Sequence, residues 1–583
     1  MMMDRQHKRK YKQLLSFLSV FAIAASLFFL FLRAPYGWCF NDEPFIVTLA
    51  QRLHMGDRLI LDEWHPAQIF GPVLLPFYYV FRSFRPDNTG ILLSFRYVYC
   101  AVWWITCLIV YHVIKKQTHS ATIALCIFVY LVLFSPLDNM TLSYTSTGLM
   151  SSLMLSCILI KTKDTSQRNV ILFSIVLSVC VTILILCSPY MAGAYFLLLI
   201  TAILKPKKRL LSGEEYLFQS VRWSGGFVAL FFLLLFLCFV RKEGEDWKTY
   251  LECIRLILSD PEHLNTGILT RFITCFAEIV NGNRLYSVII GISIVCGCCR
   301  KGLQKYRLVF FFLCVCGFFY AEYCYLRDNI YVKFNQQMID IAILGFAAFP
   351  WLEDKPWDIF FGFSVLGLVY TFMNYLASNT GLYAIGMTLS VCGVGSIVYA
   401  VRLCQELKKQ YFNKPVLGFI IPFICITVMT VQISGELFTR VIRQYWDEEP
   451  AALTETIQVG AAKGLKTTPE HKEEYELQYD ELKTLLDCVT DKEEKRFVCF
   501  TASPVIYLDA DMRFGTFSAW NFSRNNYMND LAKYEVITRH SEESVFYISR
   551  QEDLPDLFPI EHYQMLRADK SALFVPLDYS GRA

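Results

Sequence analysis

Charge is what this chain has little of. Only 18% of its residues are Asp, Glu, Lys or Arg, against 55% hydrophobic ones, and its mean hydropathy is +0.37. That is far from the balance of a soluble domain. The net charge of +3 comes with no basic patch that would argue for nucleic acid as a partner. No internal repeat and no low-complexity linker is present, so the chain does not read as an array of modules. Its 21 cysteines lack the paired spacing of a zinc site; Cys296, Cys298 and Cys299 cluster at a helix end without histidine partners. Most of the others, such as Cys107, Cys126, Cys180, Cys238, Cys314 and Cys392, fall in apolar segments as small packing residues. Outside those segments Cys488 and Cys499 are the pair with a chance to join, too few for a disulfide framework.

What is abundant is hydrocarbon. A membrane span takes about 20 mainly apolar residues. Segments of that kind run near 14–32, 91–114, 119–135, 146–160, 170–187, 190–204, 223–240, 285–299, 308–322, 337–352, 357–376, 382–401 and 416–434. These make about thirteen spans, several short enough to tilt or re-enter. The first is long and has no small-residue cleavage site, so it reads as an anchor and not as a signal peptide. With the N-terminus cytoplasmic, the inside segments carry Lys and Arg at roughly three to four times the density of the outside ones. Lys205–Arg209 and Arg300-Lys301 are the clearest inside anchors. An odd number of spans then puts Asp42 and everything after about residue 435 outside the cytoplasm.

The expected fold is an all-α polytopic membrane domain over 1–435, followed by a small α/β domain over 436–583. The long first outside loop, 33–90, contains helical periodicity from Glu43 to Met55 through Phe45, Ile46, Leu49, Ala50 and Leu53. This predicts a helix in the membrane interface with its apolar side toward lipid, stopped at Gly56. A second apolar piece, Phe70 to Phe81 with Pro72 and Pro76, is too short to span and should rest on the outer leaflet. In the tail, 470–488 has helical periodicity, and 497–500, 505–508, 545–548 and 573–575 read as short strands. The tail has no Ser-His-Asp spacing and no glycine-rich phosphate loop, so recognition or covering suits it better than catalysis.

Asn41-Asp42-Glu43-Pro44 places two adjacent acids at the water–membrane boundary. Carboxylates at that depth cost free energy to desolvate and so tend to face a cavity or a partner. Asp42-Glu43-Pro44 followed by Ala50, Leu53 and Gly56-Asp57 resembles the start of the first interfacial helix in the GT-C glycosyltransferases. These are polytopic enzymes using polyprenyl-phosphate-linked sugars. Pro72 through Phe81-Arg82-Ser83-Phe84, Arg96 opening the second span, and Arg327 with Tyr331 before the tenth are similar to further landmarks of that family. So are Gly460–Leu465, Ser503–Leu508 and Gly515–Trp520 in the tail. The likeness is closest to the bacterial branch containing lipid A aminoarabinose transferases, with protein O-mannosyltransferases more distant, and implies a bacterial plasma-membrane location. Two departures stand out: Gly71-Pro72 replaces that branch's lysine before paired prolines, and the second outside loop offers only Asp138 as its acid, slightly displaced.

The resemblance implies transfer of a sugar from a polyprenyl-phosphate donor to an extracytoplasmic glycan, lipid or protein. Such a transfer needs a base for the acceptor's proton and donors for the departing phosphate. Asp42 is the implied base; the competing reading is that it only caps the helix beginning near Pro44. Glu43 would assist or bind a divalent cation, or simply favour the helix N-terminus. Arg58, Arg96 and Arg327 are the arginines best placed for phosphate, and each otherwise reads as a snorkelling anchor. Tyr331 is a further phosphate donor or an aromatic-belt residue; His65 and Asp138 are accessory candidates, His65 otherwise a solvated loop residue. A membrane carrier or lipid-linked-glycan flippase is the alternative function, with Asp340 the nearest mid-span acid.

Overall fold

The computed structural model describes residues 2–39, 41–134, 139–162, 169–205, 214–258, 267–282, 284–299, 302–327, 334–377, 381–410, 447–500, 503–520, 543–549, 558 and 560–577. Backbone polar groups in a bilayer must be satisfied within their own segment. Accordingly every expected span falls on a helix, except 416–434, which lies outside the described residues. The helices are α1 (Met2–Arg33), α2 (Asp42–His54), α3 (Gly71–Phe84), α4 (Ile91–Thr118), α5 (Ala121–Val132), α6 (Tyr144–Thr162), α7 (Val170–Cys187) and α8 (Met191–Leu204). They continue as α9 (Glu214–Leu235), α10 (Trp247–Leu258), α11 (Ile268–Gly282), α12 (Arg284–Cys298), α13 (Arg307–Arg327) and α14 (Phe334–Ala348). The short α15 (Trp357–Ile359) passes through a π-helical stretch into α16 (Leu366–Ala377), and α17 spans Leu382–Gln410.

Among the described residues six helical stretches are long and apolar enough to cross a membrane, or seven if α11 and α12 form one bent span. The chain is a multi-pass membrane protein. The other expected spans, such as α5 and α8, are shorter apolar helices. Small residues draw these helices together, as is usual where burial alone gives no drive. A Cβ on Gly345 of α14 would meet Ser396 of α17 at 2.1–2.2 Å, and Ser396 Oγ donates to the Ala342 carbonyl at 2.7 Å.

The tail holds α18 (Pro469–Asp487), α19 (Val505–Ala510), a β1–β2 hairpin (Glu455–Thr456, Lys466–Thr467) and a five-stranded sheet. The sheet order is β4 (Arg513–Phe514), β3 (Arg496–Cys499), β5 (Ser544–Ile548), β7 (Ala572–Pro576) and β6 (Tyr563–Arg567). β3 is parallel to both β4 and β5, while β7 is antiparallel to β5 and β6. The small α/β fold is therefore as expected, with one correction: 505–508 is helical, not a strand. A short apolar run does not distinguish the two by periodicity. Here Pro504 opens the helix and Asp511, at φ +51°, ends it in the left-handed region. Cys488 and Cys499 are both free, one exposed after α18 and the other buried in β3.

The tail is hydrogen-bonded to the first loop. Gly37 N–H donates to the Lys466 carbonyl at 2.9 Å, and Lys466 N–H to the Pro35 carbonyl at 2.7 Å. Gly90 and Leu92 donate likewise to Gly460 and Ala461 at 3.0 and 3.2 Å. The two regions thus share one face of the molecule. Gly460 lies at φ +63°, and a Cβ there would meet the Tyr475 hydroxyl at 2.1 Å, so both backbone and packing call for glycine.

This docking corrects the reading of α2. Its residues from Glu43 to Leu53 are all buried. On one side α3 packs so closely that a Cβ on Gly71 would meet the Leu49 carbonyl oxygen at 3.0 Å. On the other side Gln51 Nε2 donates to the Tyr507 carbonyl of α19 at 3.1 Å, and Arg52 Nη2 to the Thr516 carbonyl at 2.7 Å. The helix is enclosed between membrane domain and tail, with no apolar side left for lipid. By contrast α3 exposes Pro76, Tyr79, Val80 and Phe84, an apolar edge fitting a helix that rests on a leaflet.

Candidate active site

Asn41 takes the N-cap position of α2 and makes no side-chain cap; Asp42 is the first helical residue. Asp42 keeps solvent-accessible surface yet is set in a recess, and desolvation there holds its carboxyl above the ordinary range. Tyr144, at the start of α6, lies within electrostatic reach of it. Cys39, also close, is buried; that burial, reinforced by the Asp42 and Glu43 charges, pushes its thiol up to about 12. It is a protonated packing residue and not a nucleophile.

The next residue behaves differently. Glu43 and Arg96 are both without exposed surface and form a two-bond ion pair, Nε to Oε1 at 2.7 Å and Nη2 to Oε2 at 2.6 Å. Arg96 Nη1 donates to the carbonyls of Ala34 and Tyr36 at 2.9 and 3.4 Å. The guanidinium fork is consumed in joining α1, α2 and α4, so the roles expected for Glu43 as assistant or cation ligand and for Arg96 as phosphate donor are corrected. An ion pair this buried is a structural clamp. Among the described residues no group of three or more His, Cys, Asp or Glu side chains assembles for a metal, and Glu43 is committed elsewhere.

A second clamp was not legible beforehand. Arg52 reaches Asp57 at 3.0 Å and Glu63 at 3.1 Å, and its guanidinium lies 4.6 Å from the Phe514 ring centroid. Burial, opposed by Arg52, raises Asp57 to about 6. Arg82 Nη1 holds both oxygens of Asp511 at 2.8 and 2.9 Å, and Asn88 Nδ2 reaches the same carboxylate at 3.1 Å. The signal available in the sequence was the polar set on α2, which a lipid-facing helix would not need.

His65 is buried, not solvated. Its Nδ1 accepts from Ala67 N–H at 3.0 Å, and its ring lies 4.6 Å from Phe45 and 5.8 Å from Trp520 between ring centroids. It caps the turn Pro66–Phe70. Arg58 is half-buried; its Nη1 donates to the Cys238 carbonyl, while its backbone N–H bonds Asp62 Oδ2 at 2.8 Å. Arg327 is the last residue of α13, while Tyr331 and Asp138 lie outside the described residues.

Cys238 lines an apolar cavity of about 710 Å³ walled by α3, α4, α6, α7 and α9. Val102, Met154, Ile183 and Leu234 represent its walls. Its rim includes Leu142, two residues before Tyr144, and Phe239, whose carbonyl accepts from Leu59 N–H at 2.8 Å. The first loop therefore reaches this cavity through Arg58 and Leu59. A void with hydrocarbon walls suits an alkyl or isoprenoid chain.

No family model matches the chain, and no curated protein does. Among solved structures it is similar to the oligosaccharyltransferase of Archaeoglobus fulgidus in its apo form, with a TM-score of 0.46 and 11% identity over 90% of this chain and 69% of that one. It is also similar to the archaeal oligosaccharyltransferase AglB from Archaeoglobus fulgidus in complex with an inhibitory peptide and a dolichol-phosphate, with a TM-score of 0.42 and 9% identity over 97% and 75% of the two chains.

Proposed function

We propose that the protein is a membrane glycosyltransferase of the GT-C type, moving a sugar from a polyprenyl-phosphate-linked donor to an extracytoplasmic acceptor. The observation that carries this is the 710 Å³ apolar cavity, whose rim is tied to the first loop, which also carries Asp42. The isoprenoid tail occupies the cavity. The Asp42 carboxylate takes the proton of the acceptor's hydroxyl as its oxygen attacks the anomeric carbon. The bond from that carbon to the phosphate oxygen breaks, its electrons pass to the phosphate, and Arg327 and Tyr331, the remaining candidates of the resemblance, stabilise the charge. Products are the glycosylated acceptor and the lipid phosphate. The raised carboxyl of Asp42 makes it a stronger base than an ordinary aspartate.

The charge bias of the loops supports a cytoplasmic N-terminus, and the hydrogen bonds between loop and tail carry the tail to the same side as Asp42. We assign 1–435 to the membrane domain and 436–583 to the extracytoplasmic domain, which covers α2. The decisive experiment compares envelope glycans of cells with and without the protein, then assays the purified protein with a matched polyprenyl-phosphate sugar. Transfer supports the reading. Movement of the lipid-linked glycan between leaflets without any new glycosidic bond would replace it with the flippase alternative.

A further inference from the structure

One aromatic residue stands out at the start of α6. From Asn139 to Leu153 every residue is buried except Thr145, which is half-buried, and Tyr144, which is 37% exposed. Its direction follows from helical spacing. Thr147, Ser151 and Met154 line the apolar cavity, and Tyr144 precedes them by three, seven and ten residues, the spacing of one helix face. Leu142, two residues before it, belongs to the rim. Tyr144 therefore continues the cavity-lining face of α6 one turn beyond Thr147, at the mouth. Asp42 lies within electrostatic reach of the same side chain. Tyr144 thus joins the cavity mouth to the recess of the acid.

Its hydroxyl is uncommitted: it makes no hydrogen bond among the described residues. Buried tyrosines elsewhere do not leave theirs so. Tyr78 Oη donates to Asn88 Oδ1 at 2.7 Å, and Tyr286 Oη to the Asp340 carbonyl at 2.9 Å. A phenol, with an ordinary pKa of about 10, keeps its proton at neutral pH and is available as a donor. A sugar donor whose isoprenoid tail fills the cavity, and whose anomeric carbon is attacked from the side of Asp42, has its phosphate at the mouth. That is the place of Tyr144.

We propose that the Tyr144 hydroxyl donates a hydrogen bond to the departing phosphate of the isoprenoid-phosphate donor. This rests on the donor class proposed above. As the bond from the anomeric carbon to the phosphate oxygen breaks, the electron pair stays on that oxygen and negative charge grows there. The hydrogen bond strengthens with that charge, and the phenol keeps its proton throughout. Tyr144 is then a catalytic residue acting on the leaving group, while Asp42 acts on the nucleophile.

Tyr144→Phe removes the hydroxyl and keeps the ring, and because the side chain is exposed the Tm should not move. In full-length protein in lipid nanodiscs, with the matched polyprenyl-phosphate sugar, the variant should lose about 10- to 100-fold in kcat with little change in KM. The acidic limb of its pH profile should stay where wild type has it. Geranylgeranyl phosphate, a product mimic, should bind the variant at least severalfold more weakly than it binds wild type, and geranylgeraniol equally well. Should the Tm fall, the alcohol decides, since a damaged cavity would lose it too. Wild-type kcat in the Phe variant would return Tyr144 to an interfacial anchor and overturn the proposal. A shifted acidic limb would overturn it as well, assigning the hydroxyl to Asp42 and not to the phosphate. No transfer and no lipid-phosphate binding by wild type would remove the donor reading itself, a result distinct from failure of Tyr144 alone.

Discussion

Glu43 and Arg96 face each other with no exposed surface on either partner, two charge-assisted hydrogen bonds between them, while neighbouring Asp42 keeps its surface. Adjacent acids at the start of one helix thus serve opposite purposes. Breaking a buried pair leaves one charge unpaired, at a cost of about 3–5 kcal/mol. Arg96→Leu is therefore expected to lower the Tm and the yield of inserted protein, and Glu43→Gln to do so more mildly. If Arg96→Leu keeps wild-type thermal stability and loses only affinity for the donor, the clamp is wrong.

Asp42→Asn is the complementary substitution. It keeps the shape and, since Asn41 holds the cap position, removes only a charge near the helix N-terminus, about 0.3–1 kcal/mol. Loss of a general base lowers rates by about 10²–10⁴. The expected outcome is an inserted, thermally intact protein that transfers almost no sugar. Wild-type kcat/KM should also show an acidic limb above the ordinary aspartate value of 3.8, because desolvation raises Asp42 and the base is lost as pH falls through that raised pKa. A limb unchanged in the Asn variant's residual activity would assign the titration to another group.

Filling the cavity tests the lipid site without touching charge. Met154→Trp on α6 inserts a larger side chain into a wall of the 710 Å³ void. The variant should raise KM for long polyprenyl donors at least severalfold while sparing a short-chain donor. Equal effects on both chain lengths would mean that the tail lies elsewhere.

The tail should respond to pH in a defined direction. Burial raises Asp509 to about 7, where it accepts from Tyr475 Oη at 3.0 and 2.9 Å and from Ala461 N–H at 2.7 Å. A carboxyl raised in the folded state binds its proton more tightly there than when unfolded. Its contribution is therefore fully present below about pH 4 and is lost as pH rises to about 7. Asp57, raised to about 6, acts in the same direction over a narrower window. The difference in Tm between wild type and Asp509→Asn should favour the wild type progressively less from pH 4 to 7, and level off above it. A difference independent of pH would show that Asp509 does not titrate in this range.

How much of this was legible in the sequence varies by element. The apolar helices were, because long apolar runs have few other stable arrangements in a bilayer, although among the described residues only six or seven are long enough to cross it. The periodicity at 43–55 identified α2, and the acids at its start marked the site candidate, since a charge at a membrane boundary calls for a reason. Periodicity reports that one helix face is apolar; it does not report what covers the other. So only the tertiary structure decided that α2 is enclosed by the tail, that Glu43 and Arg96 spend their charges on each other, and that His65 caps a buried turn. It also decided that Arg58 meets the cavity rim through a carbonyl 180 residues away. Short-range pattern follows from local backbone geometry and solvent preference. Which of several equivalent arginines is consumed in a clamp, and which reaches a ligand, depends on contacts between segments far apart in the chain.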